Sequence, residues 1–210
     1  MSGSKINVAK QAIEYIKNNL HPEMILGIGT GSTVNFFIEE LKEYRHKFAG
    51  AVSSSDASSK LLNENGIEVF SLNDVIDIAY YIDGADEVSP ENCLIKGGGG
   101  AHTREKIVAS ASNEFICIVD QSKMVNLLGA FPLPIEVIPE SRSLVARKII
   151  SIGGIPTYRT GFITDQGNHI LDISNISNPA ELEALINNIP GVVDNGIFAA
   201  NKPKTVLVSK

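Results

Sequence analysis

Met24-Ile25-Leu26-Gly27-Ile28-Gly29-Thr30-Gly31-Ser32-Thr33 decides the architecture. The first five residues are an apolar run of strand length, and the glycines and hydroxyls after them make a turn that opens a helix over 33–47. A buried strand passing through a glycine turn into a helix is the repeating unit of α/β proteins. Upstream, Ile6, Ala9, Ile13, Ile16 and Leu20 recur at three and four residues, predicting an amphipathic helix that follows a Ser4 cap and stops before Pro22. Downstream come a strand at 51–53, a helix over 57–65 closed by Gly66, and strands at 67–70 and 78–82. A helix over 103–112 then precedes Phe115-Ile116-Cys117-Ile118-Val119, whose unbroken apolarity suits a strand buried on both faces. This alternation predicts a mostly parallel, Rossmann-like sheet with helices on both faces.

The pattern changes at Phe131-Pro132-Leu133-Pro134. A strand at 135–138, a helix over 141–151 and strands at 155–160 and 169–173 follow, the last two joined by an Asp165-Gln166-Gly167-Asn168 turn. A helix over 179–188 and a strand at 192–198 complete a βαββαβ order, the ferredoxin-like α+β unit. Residues 205–209 read as a final strand returning to the first sheet. The expected division is therefore a Rossmann-like domain of residues 1–130 and 199–210, with a smaller ferredoxin-like domain of residues 131–198 inserted near the C-terminus.

With 210 residues, 43% of them hydrophobic, the chain can bury roughly 70% of its unfolded surface. A net charge of -6 provides no general field for nucleic acid or an anionic membrane, so a phosphorylated ligand requires a local positive site. Cys93 and Cys117 form no CxxC pair and fit reduced thiols. The N-terminal stretch lacks the apolar core of a signal peptide, and no apolar run reaches the ~20 residues of a membrane span. A soluble, cytoplasmic protein with neither membrane nor nucleic-acid partners is expected. His21, His46, His102 and His169 are scattered, which argues against a transition-metal cage.

Four segments carry chemistry. The Gly29-Thr30-Gly31-Ser32-Thr33 turn fails the dinucleotide pattern G-x-G-x-x-G, because Ser32 stands where the third glycine belongs, and it lacks the lysine of a P-loop. A helix N-terminus with Thr30, Ser32 and Thr33 hydroxyls nevertheless suits phosphate or carboxylate. A plain strand-to-helix turn with Ser32 as N-cap fits the same residues. Asp83-Gly84-Ala85-Asp86-Glu87 follows an apolar strand, where parallel sheets bind ligands. A solvated acidic rim or a divalent-metal site are its rivals. Lys96 opens four consecutive glycines, Gly97 to Gly100, and Glu105 stands at the start of the next helix. Glycines let backbone amides approach a ligand, Lys96 can neutralise developing negative charge, and Glu105 has the character of a general base. Its alternative role is to complement the helix dipole. Last, Lys123 in Asp120-Gln121-Ser122-Lys123 can reach a phosphate near the Ser32 helix terminus.

Taken in order, GIGTGST, AVSSSDAS, DGADEV, KGGGGAHTREKIVAS, Asp120 to Lys123 and FPLPIEVIP resemble ribose-5-phosphate isomerase, type A, over essentially the whole chain. The resemblance implies interconversion of D-ribose 5-phosphate and D-ribulose 5-phosphate, through a cis-enediolate, in the non-oxidative pentose phosphate pathway. It implies no metal or organic cofactor, and a homodimer or homotetramer. By the same resemblance Glu105 is the general base. Asp83, Asp86 and Lys96 assist ring opening, shuttle hydroxyl protons and stabilise the enediolate, with Gly84, Ala85, Gly97, Gly98 and Gly99 in the same substrate-binding loops. Thr30, Gly31, Ser32, Thr33 and Lys123 match the phosphate positions, joined by an early lysine that is either Lys5 or Lys10. His102 stands where the family commonly has an aliphatic residue. Two other readings share parts of this pattern: a sugar-phosphate-sensing domain, which needs the anion cradle but not Glu105, and a coenzyme A transferase with a glutamate nucleophile.

Overall fold

The N-terminal apolar stripe folds as helix α1 (Ser2–Ile16), burying Ala9, Ala12, Ile13 and Ile16. Ser4 thus lies within the helix rather than at its cap, and Leu20 falls beyond its end. There follow β1 (Ile25–Ile28), α2 (Ser32–Leu41), β2 (Gly50–Ser53), α3 (Asp56–Glu64), β3 (Ile78–Asp83), β4 (Glu87–Val88), β5 (Leu94–Ile95), α4 (His102–Ala111) and β6 (Ser112–Asp120). The remaining elements are β7 (Leu133–Val137), α5 (Arg142–Ser151), β8 (Ile155–Tyr158), β9 (His169–Ser174), α6 (Pro179–Asn187), β10 (Val192–Asn195), β11 (Ile197–Phe198) and β12 (Thr205–Ser209). This computed structural model describes residues 2–209.

The chain divides into two units. The first comprises the residues up to Gly84, Arg104–Lys123, and those from Pro203 on. Its sheet has the order β12-β6-β3-β1-β2 and every neighbouring pair is parallel. Side chains alternate across it. Leu26, Ile28, Ile82, Ile116 and Ile118 join the core formed by α1 and by Val34, Phe37, Ile38 and Leu41 of α2. Gly27 faces the other way, and a side chain there would meet Tyr81 and Val108 of α4 at 2.9 Å. Helices therefore cover both faces, and each buried aliphatic or aromatic side chain contributes about 1.5–3 kcal/mol. The chain goes from β1 outward to β2, then returns to place β3 on β1's other side. That reversal leaves a crevice at the carboxyl ends of β1 and β3, the position where open α/β sheets bind ligands.

Two expectations change here. Residues 67–70 form no named strand: they run beside β2 with Ala51 N–H on Glu68 O and Phe70 N–H on Ala51 O, both 2.8 Å. Ser71 then caps a short 3-10 turn, which ends the pairing. The helix expected over 33–47 stops at Leu41 and tightens into a 3-10 turn over Lys42–Lys47, a stretch with no buried side chain.

The second unit comprises Ala85–Thr103 and Met124–Lys202. Its four-stranded sheet, β10-β7-β9-β8, is antiparallel throughout, and the chain order βαββαβ with α5 and α6 is ferredoxin-like. Leu133, Ile135, Val137, Leu171 and Ile173 pack with Val145, Ile149 and Ile186 of its helices. The strand expected at 192–198 breaks at Gly196. Gly196 donates to Pro134 O at 2.8 Å, and any side chain on it would lie 2.2 Å from Lys96 O. The chain then leaves the four-stranded sheet as β11 and pairs with β5 in a separate antiparallel set, β11-β5-β4. Among the described residues no helix is long and apolar enough to cross a membrane.

Candidate active site

Asp83 ends β3 and is 0% exposed. A buried carboxylate must be supplied with donors. Its Oδ1 accepts the amides of Thr30 at 3.1 Å and Gly84 at 2.7 Å, and its Oδ2 accepts the Tyr81 hydroxyl. Space for it comes from Gly29 at the end of β1, where an added Cβ would sit 2.0 Å from the Asp83 Cγ. The fold thus clamps this carboxylate across the crevice between β1 and β3.

Glu105 occupies the first turn of α4 and is 4% exposed. Its charge reaches the same hydroxyl. Burial pushes the Tyr81 phenol well above its ordinary value, and the negative charges of Asp83 and Glu105 push it further. The phenol is therefore held protonated, donating to Asp83 while the Glu105 charge also disfavours its ionisation. Around Thr30, the serines of the 53–58 stretch form a hydroxyl web: Thr30 Oγ1 lies 2.8 Å from both Ser54 Oγ and Ser55 Oγ, and Ser58 Oγ donates to Gly29 O at 2.7 Å. Ser55 also caps α3 through the Ser58 amide.

At the start of α2 the N-cap is Gly31, not Ser32. Gly31 has φ 117°, a conformation costly for other residues, and Ser32 becomes the first helical residue. Ser32 and Gly31 are exposed, Thr33 half-buried, and the helix end faces outward with its partial positive charge. Lys5 Nζ donates to Ser32 Oγ at 2.7 Å, whereas Lys10 pairs with Glu40 at 3.7 Å. Lys5 is thus the early lysine at this helix end. Asp120 is held below the usual carboxylate range, first by the Ser122 hydroxyl and further by the charges of Lys123 and Lys5. The structure therefore brings Lys5, Ser32 and Lys123 into one polar neighbourhood.

In the second unit, Asp86 Oδ2 accepts the Gly98 amide at 2.8 Å. Lys96 is 3% exposed, its amide donates to Gly196 O at 2.9 Å, and its ammonium lies 5.6 Å from the Phe198 ring centroid. Gly98 and Gly99 are exposed, while buried His102 packs against Gly97 with Nε2 3.4 Å from Asp194 O. Other buried carboxylates serve the fold. Glu87 accepts the Gly129 and Phe131 backbone amides, Glu136 accepts the hydroxyls of Thr103 and Thr164 and the Asn168 side-chain Nδ2, and Glu183 accepts the Ala199 and Ala200 backbone amides. No group of three histidine, cysteine or acidic side chains among the described residues is arranged to hold a metal ion. Tyr81 and Gly196 escaped the sequence reading. Tyr81 looks like an ordinary strand residue, and only the Asp two positions later hints at its partner.

The family model described as ribose 5-phosphate isomerase A (phosphoriboisomerase A) matches residues 50–210. The chain belongs to that family. Ribose-5-phosphate isomerase A of Mannheimia succiniciproducens is 57% identical over 203 residues, covering 95% of this chain and 91% of that protein. The crystal structure of ribose 5-phosphate isomerase A from Neisseria gonorrhoeae superposes with a TM-score of 0.92 at 46% identity, over 99% of this chain and 94% of that one. A D-ribose-5-phosphate isomerase structure in complex with phospho-erythronic acid gives a TM-score of 0.88 at 36% identity, over 97% and 93% of the two chains. As a member of the ribose 5-phosphate isomerase A family, the protein is an enzyme of the isomerase class.

Proposed function

We propose that the enzyme interconverts D-ribose 5-phosphate and D-ribulose 5-phosphate through a cis-enediolate, with Glu105 as the general base. The observation that carries this reading is the burial, within the first unit, of two carboxylates, Glu105 and Asp83, whose charges both act on the Tyr81 hydroxyl, alongside a separate helix end at Ser32 to which Lys5 donates. Proton-transfer isomerisation of a sugar phosphate uses both: a base that stays out of bulk water and an anchor for the remote phosphate. The relative that holds phospho-erythronic acid, a phosphorylated sugar acid, supports a ligand of this class.

In the proposed reaction Glu105 takes the C2 proton of the open-chain aldose, and the electron pair shifts so that the C1 carbonyl oxygen gains the charge. The proton returns at C1 while the O2 hydroxyl proton passes to O1, leaving the ketone at C2. The change is internal and redox-neutral. Lys96 and the amides of Gly97, Gly98 and Gly99 stabilise the enediolate oxygens. Asp83 and Asp86 shuttle hydroxyl protons and assist furanose opening, with Gly84 and Ala85 contributing to binding. The phosphate is held by Gly31, Ser32, Thr33, Lys5 and Lys123. Thr30 acts through its amide on Asp83, since its hydroxyl belongs to the serine web. A general base contributes roughly 10²–10⁴-fold and an oxyanion donor about 10²–10³-fold. Binding of the remote phosphate supplies energy for orientation. We place the reaction in the cytoplasmic pentose phosphate pathway, with a homodimer or homotetramer as the working assembly.

The test is ketose formation from ribose 5-phosphate, with free ribose and arabinose 5-phosphate as comparators and a chelated sample as a further arm. Turnover of ribose 5-phosphate that free ribose does not match, and that chelation leaves intact, is expected. Equal turnover of free ribose, or none with ribose 5-phosphate, contradicts the proposal.

A further inference from the structure

Arg159 follows β8 and has no part in the roles assigned above. Its side chain is 18% exposed, and it grips Asp172 of β9 with two parallel bonds, Nε to Oδ2 at 2.9 Å and Nη2 to Oδ1 at 2.5 Å. That fork fixes the guanidinium plane. Nη1 then donates to the carbonyls of Gly97 and Gly98, each at 3.2 Å. The Gly97 carbonyl and the Gly98 N–H belong to a single peptide unit, and that N–H donates to Asp86 Oδ2 at 2.8 Å. One continuous polar chain therefore runs from Asp172 through Arg159 and the Gly97–Gly98 peptide to Asp86. The guanidinium also lies 5.4 Å from the Phe162 ring, and that ring fills the space a side chain at Gly100 would need.

Four consecutive glycines have no side chains to fix their peptide planes. Within the loop the Gly100 N–H donates to Gly97 O at 2.9 Å, and Arg159 adds a charged hold on that carbonyl and on the Gly98 carbonyl, which among the described residues has no such partner inside the loop. We infer that Arg159 is a positioning residue for the isomerisation: it sets the Gly97–Gly98 peptide, and through that peptide the Asp86 carboxylate. The inference rests on the proposal that Asp86 and the glycine loop serve the sugar. Hydrogen bonds in series polarise one another, so a cation on the carbonyl strengthens the N–H donor at the other end. Lysine does not replace this geometry. A single ammonium cannot hold the Asp172 fork and reach both carbonyls.

The experiment compares wild type, Arg159→Ala, Arg159→Lys and Asp172→Asn by kcat and KM for ribose 5-phosphate. Guanidinium ion at low millimolar concentration is added as a rescue, and glycine-selective ¹⁵N spectra report the loop directly. A loss on the order of 10²-fold in kcat is expected for Arg159→Ala, in line with the cost of small misplacement, with KM within about threefold. Guanidinium recovers much of it, Arg159→Lys remains impaired, and the Gly98 amide resonance shifts in every variant. If Arg159→Ala does not fold, Arg159→Lys and Asp172→Asn decide the matter by the same readings. Wild-type kcat in the variants, or an unmoved Gly98 resonance, overturns the inference. An inactive wild type would instead sink the functional proposal, and the glycine spectra would still decide the clamp.

Discussion

Gly29→Ala is the substitution whose consequence follows most directly from the geometry. The new methyl would lie 2.0 Å from Asp83 Cγ and 2.1 Å from Oδ1, far inside van der Waals contact. Asp83 must then withdraw by more than an ångström, and its bonds to the Thr30 amide, the Gly84 amide and the Tyr81 hydroxyl cannot all survive. Overpacking costs about 1–3 kcal/mol, and a hydrogen bond to a charged group is worth about 1.5–3 kcal/mol. With one such bond lost and partial relaxation, a total of about 3 kcal/mol lowers the melting temperature by roughly 6–12 °C for a chain of this size. Displacement of a reacting group by about 1 Å is expected to cost on the order of 10²-fold in kcat. Thermal melting and ketose formation from ribose 5-phosphate measure the two effects. Gly3→Ala serves as the control, since a Cβ there meets nothing within 4 Å. A Gly29→Ala enzyme that melts with wild type and turns over normally would refute the claim that the crevice between β1 and β3 is built around Asp83.

Lys5→Ala should raise KM for ribose 5-phosphate by about tenfold or more with little change in kcat, because it removes uniform binding. Lys10→Ala, whose partner is Glu40, should leave both constants within about twofold; equal effects would remove Lys5 from the cradle. The raised Tyr81 pKa has a definite linkage sign. The folded protein keeps that proton when the unfolded chain has lost it, so the contribution is complete below pH 10.0 and fades as pH rises toward the folded value. Melting temperature against pH should therefore fall less steeply above pH 10.0 in Tyr81→Phe than in wild type; parallel curves would contradict this.

The alternation of strands and helices was legible because glycines and apolar runs punctuate it, and the βαββαβ order was legible for the same reason. What local pattern did not carry was non-local pairing. β4 and β5 have two residues each and no periodicity of their own, and the break at Gly196 is set by Lys96 O, which lies 100 positions earlier in sequence. In the candidate site, the carboxylates and the helix end stood out by residue type. The choice between Lys5 and Lys10 did not, since both lie on α1 and only the packed helix decides which reaches Ser32. Ser32 stood open as an N-cap beside its anion-binding reading, because serine commonly caps helices, and Gly31 takes the cap position instead. Arg159 carries no local signal, since its partners Asp172 and Gly97 meet it only in the fold.

The claim at the centre is that Glu105 moves hydrogen between C2 and C1. Ribose 5-phosphate deuterated at C2 tests it, by following the label into water and to C1 in wild type and in Glu105→Gln. Turnover and label loss should fall together by about 10²–10⁴-fold while substrate affinity stays within roughly tenfold. Wild-type release of deuterium by Glu105→Gln would assign the base to another residue.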